Sequence, residues 1–204
     1  MVQRLLLNSI AQLNIGALCP FEMHNSQYNK PMIDTSHMLF IHGSSGDKSQ
    51  TYKARILREI FPGMVTPDFD GDLPERMLQL ETILGNETGW ILVGSSLGGL
   101  MAALFALQHP DQVRKLVLLA PALTLPGFTM SLASQISIPT IIVQGTRDEL
   151  IPLEPTQRLA EKVFTNLTYI VVDDDHRLHK AAQELDWKKL LAPSEGPANP
   201  PPHN

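Results

Sequence analysis

The sequence predicts an α/β fold: a mostly parallel sheet of about six strands with helices on both faces. Three observations carry that expectation. Short apolar runs alternate along the chain with segments whose apolar residues recur at helical spacing. Two of those runs, Leu116-Val117-Leu118-Leu119 and Ile141-Ile142-Val143, are apolar without alternation, as in strands covered on both faces. A serine set between glycines, in Gly94-Ser95-Ser96-Leu97-Gly98, joins an apolar run to a helical one.

Met38-Leu39-Phe40-Ile41 reads as a buried strand closed by the loop His42-Gly43-Ser44-Ser45-Gly46. From Tyr52 to Phe61, Ala54, Ile56, Leu57, Ile60 and Phe61 lie at roughly helical spacing, and Pro62-Gly63 stops the helix. Met64-Val65-Thr66 reads as a short strand leading into the turn Asp68-Phe69-Asp70-Gly71-Asp72. Pro74 suits a first helical turn, and that helix runs through Leu84 to a stop at Gly85. Trp90 to Val93 is the next strand, followed by a helix from Leu97 to His109. Strands at Val113–Ala120 and Thr140–Val143 come next, then a helix opened by Pro155 and running through Phe164. Tyr169 to Val172 is the last strand, and Arg177 to Leu191 reads as one closing helix.

These elements place a domain at 37–192. Residues 1–36 form an N-terminal extension without a clear element. The Pro, Gly, Ser, Asn and His composition of 193–204 predicts a disordered tail. A chain of 204 residues, 43% hydrophobic and 18% charged, is enough for one such domain and its core. The net charge of −5, with no basic cluster interleaved with aromatics, argues against a nucleic-acid partner. Cys19 is the single cysteine, which excludes an intrachain disulfide and suits a reducing, cytoplasmic setting. The apolar start around Leu5-Leu6-Leu7 is broken by Asn8, Ser9, Gln12 and Asn14, too polar for a secretory signal. No run is long enough to span a membrane. No CxxC or HExxH spacing points to a metal, and no cofactor is expected.

The serine between glycines carries chemistry. A serine hydroxyl needs a base to become a nucleophile, and it must stand clear of its own backbone. A tight strand-to-helix turn achieves this by forcing the serine into strained backbone angles. Only small residues then fit two before and two after, which Gly94 and Gly98 satisfy. In a parallel sheet the loops at the carboxyl ends of the strands gather on one edge. His42, Ser96, Asp148 and His176 all follow strands, so all four are expected on that edge.

Together, Gly94-Ser95-Ser96-Leu97-Gly98-Gly99, His42-Gly43, Gly145-Thr146-Arg147-Asp148 and Asp175-His176 resemble a serine hydrolase of the α/β-hydrolase superfamily, of a small uncapped bacterial esterase type. The resemblance covers about His37 to Leu191. It implies Ser96 as nucleophile, His176 as base and Asp148 as the acid that orients it. It also implies an oxyanion hole from the backbone N–H groups of Leu97 and Ser44, with Ser45 as the alternative second donor. His179 is the rival base. Asp70 and Asp72 are the fallback acids, or else turn formers. Glu149 stands beside Asp148 on a longer side chain. Asp173, Asp174 and Asp175 read as a solvated acidic turn. His109 ends a helix, where a cation is favoured. His24, His37 and His203 fall outside the motif positions.

The segment from Ala122 to Ile138 is too short for a cap domain, so an open site is expected. Leu123, Leu125, Phe128, Met130 and Leu132 would line an apolar acyl pocket or else pack the loop, and His42 would shape the oxyanion turn. The expected activity is that of a carboxylesterase on short or medium acyl chains, with a small-molecule acyl ester or thioester as partner. A thioesterase or lipid-acyl hydrolase is the alternative among enzymes, and a non-catalytic binding protein is the alternative outside them. Oligomeric state is not legible.

Overall fold

A computed structural model describes residues 35–44, 51–125 and 135–192. Among these residues, five parallel strands form one sheet in sequential order: β1 (Met38–Ile41), β2 (Trp90–Ser95), β3 (Val113–Leu119), β4 (Thr140–Gly145) and β5 (Leu167–Val172). The expected sixth strand at Met64–Thr66 shrinks to one parallel bridge, Val65 to Leu39. Val65 N–H donates to Met38 O and Phe40 N–H to Val65 O, on the free side of β1. Pro67 lacks an N–H, so pairing ends there.

Among the described residues, six helices cover the sheet: α1 (Tyr52–Ile60), α2 (Leu73–Leu84), α3 (Leu97–Gln108), α4 (Leu153–Val163), α5 (His179–Glu184) and α6 (Trp187–Leu190). Alternate residues along the strands face opposite layers. Leu39, Ile41, Leu92, Leu116, Leu118 and Ile142 pack with apolar residues of α2, α3 and α4. Met38, Phe40, Ile91, Val93, Val117, Leu119 and Val143 pack with α1, α5 and α6. The apolar central strands are thus covered on both sides, as their lack of alternation implied. At the outer strand β5 cover is incomplete, and Val171 is 45% exposed.

Local chemistry sets the helix ends. Asp72 accepts from Glu75 N–H and Glu75 accepts from Asp72 N–H, a reciprocal cap at the start of α2. The Asp72 carboxylate is therefore committed to the start of α2, as a turn former. Gly85 ends α2 at φ +56°, where a side chain would be strained. The helix expected from Pro155 starts earlier, at Leu153. The closing helix expected over Arg177–Leu191 is two short helices. Leu185 leaves helical geometry, and the Asp186 carboxylate caps α6 through Lys189 N–H.

Candidate active site

Ser96 lies between β2 and α3 at φ +54°, ψ −115°, far from the backbone wells of an ordinary serine. Two close approaches hold it there. A Cβ on Gly94 would collide with the carbonyl of Gly98, and a Cβ on Gly98 would collide with the carbonyls of Ile41 and His42. Both glycines are therefore required by backbone that has nowhere to go. Gly99 faces Pro121, where a Cβ would sit 2.8 Å from Pro121 Cβ. Among the described residues, the three non-glycine residues at positive φ, Ser96, Ala120 and Leu178, follow the carboxyl ends of β2, β3 and β5, so backbone strain gathers at this edge.

Asp148 and His176 reach the same edge on neighbouring loops. Thr146 N–H donates to Val172 O and Arg147 N–H to Asp174 O, joining the loop after β4 to the loop after β5. Gly145 permits this, because a Cβ there would strike the Asp174 carbonyl. The Asp148 carboxylate is completely buried, and the His176 side chain is 18% exposed. Oδ1 of Asp148 accepts from Leu150 N–H and Ile151 N–H at 3.0 and 2.8 Å. Oδ2 accepts from the Gln144 side-chain amide at 2.9 Å. His176 Nδ1 lies 2.9 Å from Oδ2, and its Nε2 lies 3.0 Å from Ser96 Oγ. A carboxylate can only accept, so Nδ1 carries the ring proton and Nε2 is left to accept from the serine hydroxyl.

The other candidates fall elsewhere. The ring of His179 packs on Tyr52 with centroids 4.7 Å apart. His109 packs on Phe105, and His37 on Trp90. Glu149 is exposed. The 173–175 turn is not uniformly solvated. Asp174 is buried, with its carboxylate accepting from Asp175 N–H and Ala181 N–H. Burial alone would raise its pKa, but these backbone donors hold it below the usual value.

A cavity of about 460 Å³ opens beside the serine, and Ser44, Ser96 and His176 are among its lining residues. His42 also lines it, but both ring nitrogens are engaged. Nδ1 lies 2.7 Å from Gly43 O, and Nε2 accepts from Phe69 N–H at 2.9 Å. Leu123 corrects the expected acyl pocket. It is fully buried in the core and is not among the cavity-lining residues, because Ala122 N–H donates to Ser96 O and turns this stretch inward. Leu125 is 42% exposed. Ser45, Phe128, Met130, Leu132, His24 and His203 lie outside the described residues, as do the tail and nearly all of the N-terminal extension.

Arg76 was not legible as a site residue. It is 5% exposed, and its guanidinium donates to Gly43 O at 3.2 Å and to Gly71 O at 3.1 Å. Together with His42 it fixes the Gly43 carbonyl. A trans peptide points its N–H opposite to its C=O, so these contacts also fix where Ser44 N–H points. The only sequence signal was an arginine one helical turn from the start of α2, where a basic residue opposes the dipole. Gln144 was also missed. It is fully buried near the end of β4, and its amide N–H groups reach Asp148 Oδ2 and Ile151 O.

Residues 44–135 match the family model described as the alpha/beta hydrolase fold. A solved structure of alpha/beta hydrolase domain-containing protein 10 from mouse is 21% identical, covering 71% of this chain and 84% of that one with a TM-score of 0.61. A provisionally assigned hydrolase of the α/β superfamily from Xanthomonas campestris pv. campestris is 26% identical, covering 72% and 92% with a TM-score of 0.60. A thioesterase domain from the curacin biosynthetic pathway is 15% identical, covering 74% and 90% with a TM-score of 0.61. No curated protein matches the sequence. The chain has the α/β-hydrolase fold, and the superfamily resemblance read from its motifs stands. That fold, with its hydrolase neighbours, supports a hydrolase.

Among the described residues, no helix is long and apolar enough to cross a membrane. No group of His, Cys, Asp and Glu among them could hold a metal ion.

Proposed function

We propose that this protein is a serine hydrolase that cleaves acyl esters through an acyl-enzyme, as a cytoplasmic carboxylesterase acting on short or medium acyl chains. The observation that carries this reading is the unbroken chain from Ser96 Oγ to His176 Nε2 and from His176 Nδ1 to buried Asp148, opening onto the cavity. A binding protein on the same fold has no need of a strained serine aligned with a base and a buried acid.

The roles follow from the chemistry of each group. His176 takes the hydroxyl proton as Ser96 Oγ attacks the acyl carbonyl. Asp148 stabilises the imidazolium that forms, and its three other hydrogen bonds keep the carboxylate in place. Leu97, first residue of α3, has no carbonyl one turn back for its N–H, which is free to meet the developing oxyanion. Ser44 N–H is the second donor. Protonated His176 then returns its proton to the leaving alcohol. Water repeats the sequence to release the acid and regenerate Ser96. A thioester offers the same carbonyl to the same groups, and a panel of oxygen esters, thioesters and amides would rank the leaving groups.

Fluorophosphonate labelling tests the nucleophile. The parent protein should label, and Ser96→Ala should lose labelling along with at least ~10³-fold in ester hydrolysis. Equal labelling of the two proteins would overturn the assignment.

A further inference from the structure

The cavity beside Ser96 has a charge character that the proposed chemistry does not use. Lys53, Arg177 and His179 are among the described residues lining it, whereas no aspartate or glutamate is. Lys53 sits in the first turn of α1, where a lysine opposes the helix dipole and no acidic residue compensates. Its position therefore needs a reason other than helix stability.

Lys53 Nζ donates to the Arg177 carbonyl at 2.5 Å. That bond uses one of the ammonium's three N–H groups, and the other two have no acceptor among the described residues. Burial lowers its pKa to about 8, against the pull of Asp174 and Asp175 and with a push from Arg177, so it remains a cation at neutral pH. The Arg177 side chain is exposed and makes no hydrogen bond or ion pair among the described residues. The nearby carboxylates are committed elsewhere. Asp174 accepts from Asp175 and Ala181 N–H, Asp175 accepts from Arg177 N–H, and Asp173 pairs with Arg147. His179 is packed on Tyr52. Two cations with unspent donors thus border the space a substrate must enter to reach Ser96. A partly desolvated cation attracts an anion far more strongly than one in open water does.

We propose that the substrate is an acyl ester or thioester bearing an anionic group, held by Lys53 and Arg177 while Ser96 attacks the acyl carbonyl. This rests on the serine hydrolase reading of the same site. It adds that the physiological substrate is charged, and that neutral esters are the poorer class.

Two matched substrate pairs at pH 7 test it. Mono-p-nitrophenyl glutarate against p-nitrophenyl valerate places the charge on the acyl side. Carboxyphenyl valerate against phenyl valerate places it on the leaving side. In at least one pair the charged ester should have the higher kcat/KM. That charged-to-neutral ratio should fall at least about tenfold in Lys53→Met/Arg177→Met, since losing even one of the two charge contacts in a partly desolvated site is worth that order. Taking the ratio within each protein divides out any general loss of activity, and Lys53→Arg should restore most of it. A neutral preference in both pairs, or a ratio unmoved by the double substitution, would overturn the proposal. A second readout needs no turnover. Glutarate should raise the Tm of Ser96→Ala protein and should not do so once Lys53 and Arg177 are also replaced. Absence of that shift would count against the anion site, whereas absent Ser96-dependent hydrolysis would count against the hydrolase reading.

Discussion

The corner that holds Ser96 and the paired loops that hold Asp148 and His176 solve one positioning problem by different physics. At the serine corner the constraint is steric. Gly94 and Gly98 let backbone meet backbone at distances no side chain could share, Gly99 clears Pro121 Cβ, and Ser96 is left at φ +54°. At the acid and base loops the constraint is polar. Asp148 has four hydrogen-bonding partners, and backbone bonds from Thr146 and Arg147 tie its loop to that of His176. A steric lock fails all at once when a methyl group is added, because the collision involves backbone on both sides. A polar lock can lose one bond and keep its shape, but it loses the charge or tautomer that the bond selected. Structure should therefore break first at the serine corner, and chemistry first at the loops.

The largest expected effect is on chemistry alone. Asp148→Asn should lower kcat by about 10⁴-fold, because the amide no longer selects the Nδ1–H tautomer of His176. Circular dichroism and Tm should stay close to the parent, and global unfolding would blur the contrast between the two regions. Gly98→Ala should do the reverse. The new Cβ meets the Ile41 carbonyl, so urea unfolding should show a loss of about 3 kcal/mol, at the upper end for overpacking. A stability loss within 0.5 kcal/mol would mean that the corner is not sterically locked.

Arg76→Met should fall between these extremes. It leaves the Ser44 N–H in place but removes the brace on its peptide, so kcat should drop about tenfold. That is less than the 10²–10³ expected for losing an oxyanion donor outright. An unchanged kcat would remove Arg76 from the site.

The smallest effect concerns Lys53. Its pKa is lowered in the folded protein, from 10.5 to about 8, by burial. Between those values the unfolded chain holds the proton and the folded protein does not. This group therefore adds stability as pH rises from 8 to 10.5, and its charge costs stability below 8. Lys53→Met should raise Tm at pH 7 by roughly 2–4 °C, for about 1 kcal/mol in a domain of this size. The difference should shrink by pH 10. Asp174, Asp175 and Arg177 are the other charges that act on Lys53. A lysine that lowers stability while bordering the cavity would match the trade between function and stability often seen at binding sites.

The steric corner was legible in the sequence and the polar corner only partly so. Glycines at 94, 98 and 99 around a serine are a pattern along the chain, because the backbone that collides includes the chain's own next turn. Asp148 and His176 were legible as positions after strands, through the resemblance and the order of elements. Their supports were not. Gln144 is one polar residue near the end of an apolar strand, and Arg76 is one basic residue on a helix with several charges. Nothing local marks either as buried. Leu123 failed in the opposite sense. Apolar character suited both a pocket and a core, and the folded chain packs Leu123 into the core.

By itself the sequence determined the sheet class, the order of strands and helices along the chain, and the glycine-lined corner at Ser96. The first two follow from periodicity, and the corner is marked locally by Gly94 meeting the backbone of Gly98 and Gly99, although Gly98 meets the Ile41 and His42 carbonyls only in the folded sheet. The tertiary structure decided which loops share hydrogen bonds, which polar side chains are buried, and that Lys53 and Arg177 border the same cavity as Ser96. Those are pairings between residues far apart in sequence, such as Lys53 with Arg177 and Arg76 with Gly43, and only the folded sheet brings their partners into reach.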